Sequence, residues 1–204
     1  VIFKGCKLPL FESRVETEAL LTRHVPRHVP ELIASKRFPN GETWTLNRSF
    51  AGPNVEATGR GENILAMART LARIQAELAT VPAEETAAVP HTEISEIPTM
   101  FDAMIDRIEE TYLDKWLEDD GALLQKFNLP SNILDQLEYF RSQIIKWAAE
   151  LADGEWPNSF DHVDFHTNNA ALQEDGKITI FEWEETILSC PFFSMFRLLE
   201  DADT

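Results

Sequence analysis

Cysteine is nearly absent from this chain. Its 204 residues include two, Cys6 and Cys190. Two thiols so far apart make neither a disulfide framework nor a metal-ligand cluster. A reducing compartment fits best, and the expected location is cytoplasmic. Positive charge is scarce as well. Eighteen Lys and Arg face 35 Asp and Glu, for a formal charge of −17. A field of that sign repels duplex nucleic acid and anionic membrane surfaces, and it attracts cations as well as keeping the chain soluble. Nucleic acid and membrane are therefore not expected partners, whereas a cationic small molecule is compatible. No apolar run approaches the roughly 20 residues that cross a bilayer. Internal repeats and low-complexity segments are missing, and nothing sets the oligomeric state. The opening Val1-Ile2-Phe3-Lys4 has neither an initiating Met nor a signal-peptide layout. It reads as a chain entered at a strand, with sequence upstream.

What is present belongs to a globular protein. The hydrophobic fraction is 44%, with 13 Phe and 5 Trp expected mostly in the core. The length suits one domain, or one domain with two lobes. Val1 to Phe3 reads as a strand, and Val15 to Val25 as a helix ended by Pro26. His28 to Ala34 reads as a turn into a strand. Asn40-Gly41 is a hairpin signal between Arg37-Phe38 and Thr43-Trp44-Thr45-Leu46. Gly52-Pro53 breaks the chain. A helical face follows with Ile64, Ala68, Leu71, Gln75 and Leu78. Val81 to Pro98 reads as a loop, and Met100 to Leu117 as a helix. The clearest helix starts at Pro130-Ser131, with Ser131 as N-cap and Ile133, Leu137, Phe140, Ile144, Trp147 and Leu151 recurring. Beyond Gly154 the pattern is strand-like. Ala170 to Leu172 and Ile178 to Phe181 flank a turn at Gly176, and Met195 begins a last helix. The order implies an α+β protein.

The chemistry concentrates between Asp161 and Glu185. His162, Asp164, His166 and Asn169 precede the hairpin, and Phe181-Glu182-Trp183-Glu184 leaves it. In such a loop the Asp can orient and deprotonate a hydroxyl. The Asn can hold magnesium through its side-chain oxygen, and the hairpin can return a second acidic group to the same metal. Phosphoryl transfer needs that arrangement, because its catalysts position groups and neutralise charge.

His-x-Asp-x-His-x-x-Asn, a Gly-turn hairpin and an acidic-Trp-acidic strand end resemble the aminoglycoside phosphotransferase and choline kinase families. The resemblance covers nearly the whole chain. It implies a protein-kinase-like, two-lobed fold, with a small partial N-lobe over 1–48 and a larger, mainly helical C-lobe over 49–204. It implies Asp164 as catalytic base, His162 as loop brace, His166 as a loop or substrate-side residue, and Asn169 and Glu182 as magnesium ligands. Val-Ile-Phe-Lys is similar to the strand whose Lys holds nucleotide phosphates, which makes Lys4 the candidate. Its partner would come from Glu16 or Glu18, with Glu18 preferred because Leu21 and Val25 then face inward. Trp44 to Ser49 resembles the segment linking the lobes, so Leu46, Asn47 and Ser49 would meet ATP. The implied reaction is ATP-dependent transfer of the γ-phosphate to a hydroxyl of a small molecule.

Four departures stand out. Val163 replaces a Gly and Glu182 replaces an Asp. Ser194 stands where the family often has an Asp supporting the loop. No Gly-rich phosphate-covering loop precedes Lys4. Two rivals follow: a non-catalytic kinase-like binding protein, suggested by Glu182 and Val163, and a metal-dependent hydrolase using His162, Asp164 and His166.

Overall fold

A computed structural model describes residues 1–6, 13–118, 130, 132–154 and 156–202. Two compact units result: Val1–His91 with Pro157–Thr204, and Thr92–Trp156. The cut expected from the motifs, 1–48 and 49–204, is a different one, by lobe.

The first unit opens with β1 (Ile2–Cys6), α1 (Arg14–His24), β2 (Leu32–Arg37) and β3 (Thr43–Asn47). β3 is the centre of an antiparallel sheet ordered β1-β3-β2, with Lys4 opposite Thr45. The Asn40-Gly41 signal makes the β2–β3 turn, where Gly41 takes a φ of +82. Alternation along β3 buries Thr43, Thr45 and Asn47. Trp44 points the other way, 40% exposed, and its ring meets Phe3 and Phe38 edge-on. α1 packs Thr17, Leu20 and Leu21 inward and also buries Arg14.

Next come the four-residue α2 (Val55–Thr58) and α3 (Gly61–Leu78). The fully buried stripe of α3 is Met67, Leu71, Ile74 and Leu78, rotated slightly from the expected face. Gln75 lies at its edge, donating to the carbonyls of Phe160 and Pro191 at 3.0 Å each. The Val81–Pro98 segment is more ordered than expected. It contains α4 (Ala83–Thr86), a 3-10 turn at Ile94–Glu96, and the start of the next helix. Pro98 fits there because first-turn N–H groups have no helical acceptor.

The late strands form two small antiparallel pairs. β4 (Ser159–Asp161) pairs with β7 (Ile187–Ser189), and β5 (Ala170–Leu172) with β6 (Ile178–Ile180). Gly52 is needed where the chain crosses β5: with φ +107, a Cβ there would stand 2.0 Å from the Leu172 carbonyl oxygen. α7 (Met195–Ala202) closes the unit. The core joins Leu21, Met67, Ile74, Phe165, Ile180 and Trp183, so the loop and hairpin that carry the motif are rooted in it.

The second unit pairs α5 (Ile97–Glu118) with α6 (Ile133–Ala152). Arg141 ties them through Asp102, at 2.9 Å, and Asp106, at 3.0 Å. The N-cap position of α6 is Asn132, whose side chain makes no capping bond. Ser131 lies outside the described residues. The aromatics are not mostly core. Phe140, Trp147 and Trp156 here, and Phe192 and Phe196 in the first unit, are 45–67% exposed. Helical periodicity locates an apolar side without saying what covers it. Among the described residues, no helix is long and apolar enough to cross a membrane.

Candidate active site

The loop after β4 turns sharply, and side chains hold the turn. Val163 adopts φ +65, a left-handed conformation costly for a β-branched residue. Its N–H donates to Asp161 Oδ1 at 3.0 Å. The Ser194 hydroxyl donates to the same oxygen at 2.5 Å and accepts from the His162 N–H at 2.9 Å. Asp161 is 3% exposed, and burial pushes its carboxyl above the usual range against both hydrogen bonds. A Ser–Asp pair thus supports this loop, with the carboxylate on the strand side.

His162 is fully buried, its ring 4.5 Å from that of Trp183. Nε2 lies 2.8 Å from the Phe181 carbonyl, a geometry that places a proton on Nε2. Nδ1 is buried without a partner. Burial pushes the imidazole down to about 4, so it stays neutral. The brace expected of His162 is therefore a link from the loop to the strand leading into Glu182. With Nε2 so engaged, only Nδ1 of this ring would be left to ligate a metal. Among the described residues no group of three His, Cys, Asp or Glu could hold a metal.

Asp164 emerges from the turn with its side chain 42% exposed. Asn169, buried at 7%, donates through Nδ2 to Asp164 Oδ2 at 3.0 Å and to the Asp164 carbonyl at 2.9 Å. That leaves Asn169 Oδ1 as the free acceptor. His166 Nε2 stands 3.3 Å from Asp164 Oδ2, and Arg197 Nε 3.9 Å from Oδ1. The Phe181 N–H donates to the Asn169 carbonyl at 3.0 Å, so Glu182 follows directly from the residue bonded to Asn169.

Glu182 also takes a left-handed φ of +65. Its carboxylate contacts the Lys4 ammonium, and Glu184 Oε1 reaches the same ammonium at 3.3 Å. Burial and the hydrogen bond with Glu184 hold Glu182 above the usual carboxyl range, against Lys4. Burial pushes Glu184 up too, but its bond with Glu182 and the charges of Lys4 and Arg14 bring it below. Of the two carboxyls, Glu182 is therefore the weaker acid.

The expected Lys4–Glu18 pair is not formed. Glu18 accepts from Arg14 Nε at 2.9 Å and from Asn47 Nδ2 at 3.1 Å. Glu16 accepts from Arg37 at 2.9 Å. Arg14, one turn earlier on the same helix, is the nearer cation to Glu18, while Lys4 faces two carboxylates. Lys4, Glu18, Asn47, Phe181 and Glu182 nevertheless line one small pocket of about 30 Å³, with an apolar wall including Ile2, Leu21 and Val29. Leu46 lies outside it, against Phe3 and Trp44, and Ser49 is exposed beyond β3.

Sequence reasoning missed three residues. Arg14 is 3% exposed and also bonds Thr45 Oγ1 at 3.0 Å. Its i,i+4 spacing to Glu18 was the available signal. Glu184 sits two residues from Glu182, and Asp161 immediately precedes His162.

No protein-family model matches the chain, and no curated protein matches it by sequence. Solved structures do match. The structure of APH(2")-IIIa with GDP and kanamycin superposes with a TM-score of 0.69 at 17% identity, covering 98% of this chain and 65% of that one. A spectinomycin phosphotransferase, APH(9)-Ia, solved with ADP and spectinomycin, gives 0.57 at 13%, covering 96% and 59%. The aminoglycoside phosphotransferase APH(3'')-Id from Streptomyces rimosus gives 0.56 at 17%, covering 98% and 70%. The chain thus spans about two thirds of the length of these proteins. The fold is the protein-kinase-like α+β fold, with a small sheet lobe and a mainly helical lobe. Within that class it is similar to the aminoglycoside phosphotransferases, as the motif implied.

Proposed function

We propose that this chain carries the active site of an ATP-dependent phosphotransferase acting on a hydroxyl of a small molecule. The observation that carries the reading is the Asp164–Asn169 pair at 3.0 Å, linked through Phe181 to Glu182 and so to Lys4. Asp164 would hold the acceptor hydroxyl and take its proton as the oxygen attacks the γ-phosphorus. The bond to the bridging oxygen then breaks and ADP leaves. Lys4 would exchange a carboxylate for nucleotide phosphate oxygens, and Asn47 would lie on the nucleotide side.

The donor set fits magnesium. Asn169 Oδ1 is free, and Glu182 and Glu184 stand together at the Lys4 ammonium. Hard oxygen ligands of this kind suit the ion. Asn169 and Glu182 would hold it, where it would neutralise charge on the phosphates. The acceptor is placed as a cationic, hydroxyl-bearing compound, in keeping with the charge of −17 and with kanamycin and spectinomycin in the neighbours' complexes. A cytoplasmic location accords with the two free cysteines.

The direct test is turnover of ATP, with GTP in parallel, against a panel of hydroxyl and amino compounds. Transfer to a hydroxyl that needs magnesium and Asp164 is expected. Nucleotide binding without transfer to any acceptor would favour the kinase-like binding protein, a reading favoured by the Lys4–Glu182 contact and strained Val163.

A further inference from the structure

A second charged region lies among Arg27, His28, α3 and the β5–β6 turn, apart from the residues assigned to phosphoryl transfer. The first unit holds nine arginines. Six of them lie within ion-pair distance of a carboxylate: Arg14 of Glu18, Arg23 of Glu85, Arg37 of Glu16, Arg48 of Glu31, Arg60 of Glu62 and Arg197 of Asp164. The remaining three, Arg27, Arg69 and Arg73, have no carboxylate partner among the described residues. All three gather in one place, although acidic residues outnumber basic ones 35 to 18.

Arg69 and Arg73 stand one turn apart on the exposed side of α3, an arrangement in which like charges repel. With His28, Thr70 and Lys177 they line a pocket of about 240 Å³, room for a small anion rather than a drug-sized ligand. Arg27 lines the adjoining depression, which shares Lys177. Glu174 and Asp175 line the same depression as Arg27, Asp175 pairing with Lys177, and Glu77 faces His28, so four cationic side chains meet three carboxylates in this region. Two buried polar atoms beside these pockets also lack partners: His28 Nδ1 and Gln173 Nε2. Burial pushes His28 below its ordinary range, and Arg73, Arg27 and Lys177 add to that effect, as a positive local potential does.

We propose that Arg69 and Arg73, with Arg27, His28 and Lys177 around them, form a binding site for a phosphate group, either free phosphate or a small phosphate monoester. Guanidinium forks match phosphate oxygens bidentately, and an anion here would relieve the repulsion along α3. The inference does not depend on the phosphotransferase reading.

Equilibrium dialysis with inorganic phosphate and with glycerol phosphate tests it on the whole chain. Wild type and Lys4→Ala should both bind saturably. The Arg69→Gln, Arg73→Gln double variant should lose at least about tenfold in affinity. Tighter binding of the ester points to a metabolite, and tighter binding of inorganic phosphate to the free ion; both support the site. Melting in phosphate-free buffer controls for folding: the double variant should melt at or above wild type. The site is overturned by equal binding in the double variant, by loss in Lys4→Ala instead, by no saturable binding, or by a lower melting temperature.

Discussion

The two halves of the candidate active site are held by different means. The loop from Asp161 to Asn169 is fixed by short hydrogen bonds, most of them to backbone groups: Val163 N–H to Asp161, His162 N–H to Ser194, Asn169 Nδ2 to the Asp164 carbonyl. The side chains around Lys4 are held mainly by charged groups, with one ammonium between Glu182 and Glu184 and one buried guanidinium bonded to Glu18 and to the Thr45 hydroxyl. Backbone hydrogen bonds specify one arrangement. Ion pairs among three carboxylates and two cations can be redistributed when a phosphate or a cation arrives. A rigidly held carboxylate beside an exchangeable charge cluster would suit the proposed reaction, in which a hydroxyl must be oriented and a charged nucleotide admitted.

Variants on each side can break this contrast. On the rigid side, Asp164→Asn should cost roughly 10²–10⁴ in turnover with nucleotide affinity nearly unchanged, read from kcat and from direct binding. Wild-type turnover would remove the centre of the assignment. Next in size is the acid limb of stability. The unfolded chain protonates His162 near 6.5 while the folded chain resists to about 4, so stability falls as pH drops through that window. The loss is on the order of 3 kcal/mol. Asp161, held above its usual range by burial, opposes this at the acid end, because the folded state protonates first. Denaturant melts from pH 7 to pH 4 should show the slope, and His162→Gln should flatten it.

Ser194→Ala removes the acceptor of a buried N–H and should destabilise by about 1–3 kcal/mol in urea unfolding. No change would mean the Ser–Asp pair does not hold the turn. Smallest is Val163→Gly. It relieves the left-handed strain but adds backbone freedom, for a net gain of about 1 kcal/mol and a raised Tm. A lower Tm would mean the φ of +65 is not costly here.

The same contrast governs what could be read in advance. The Asp164–Asn169 contact was legible because it is local: the two residues are five apart and act on each other. The strand order of the first fifty residues was legible because Asn40-Gly41 and the alternation along β3 are local signals. The partner of Lys4 was not. The choice between Glu18 and Glu182 depends on where α1 places Arg14, and on a turn some 180 residues away. The apolar face of α6 was legible as a face, but Phe140 and Trp147 are exposed because periodicity carries no information about a covering surface. Val163 was legible as a departure from Gly, while its left-handed backbone needed coordinates.

The measurement closest to the central claim is a magnesium titration of nucleotide binding in wild type, Glu182→Gln and Glu182→Asp. Removing the charge of Glu182 takes away a counter-ion of Lys4 and the proposed metal ligand, whereas Asp keeps the charge on a shorter arm. Wild type and Glu182→Asp should bind nucleotide more tightly as magnesium rises, and Glu182→Gln should lose most of that dependence. Equal, magnesium-independent binding in wild type and Glu182→Gln would contradict the account and leave a kinase-like binding protein in its place.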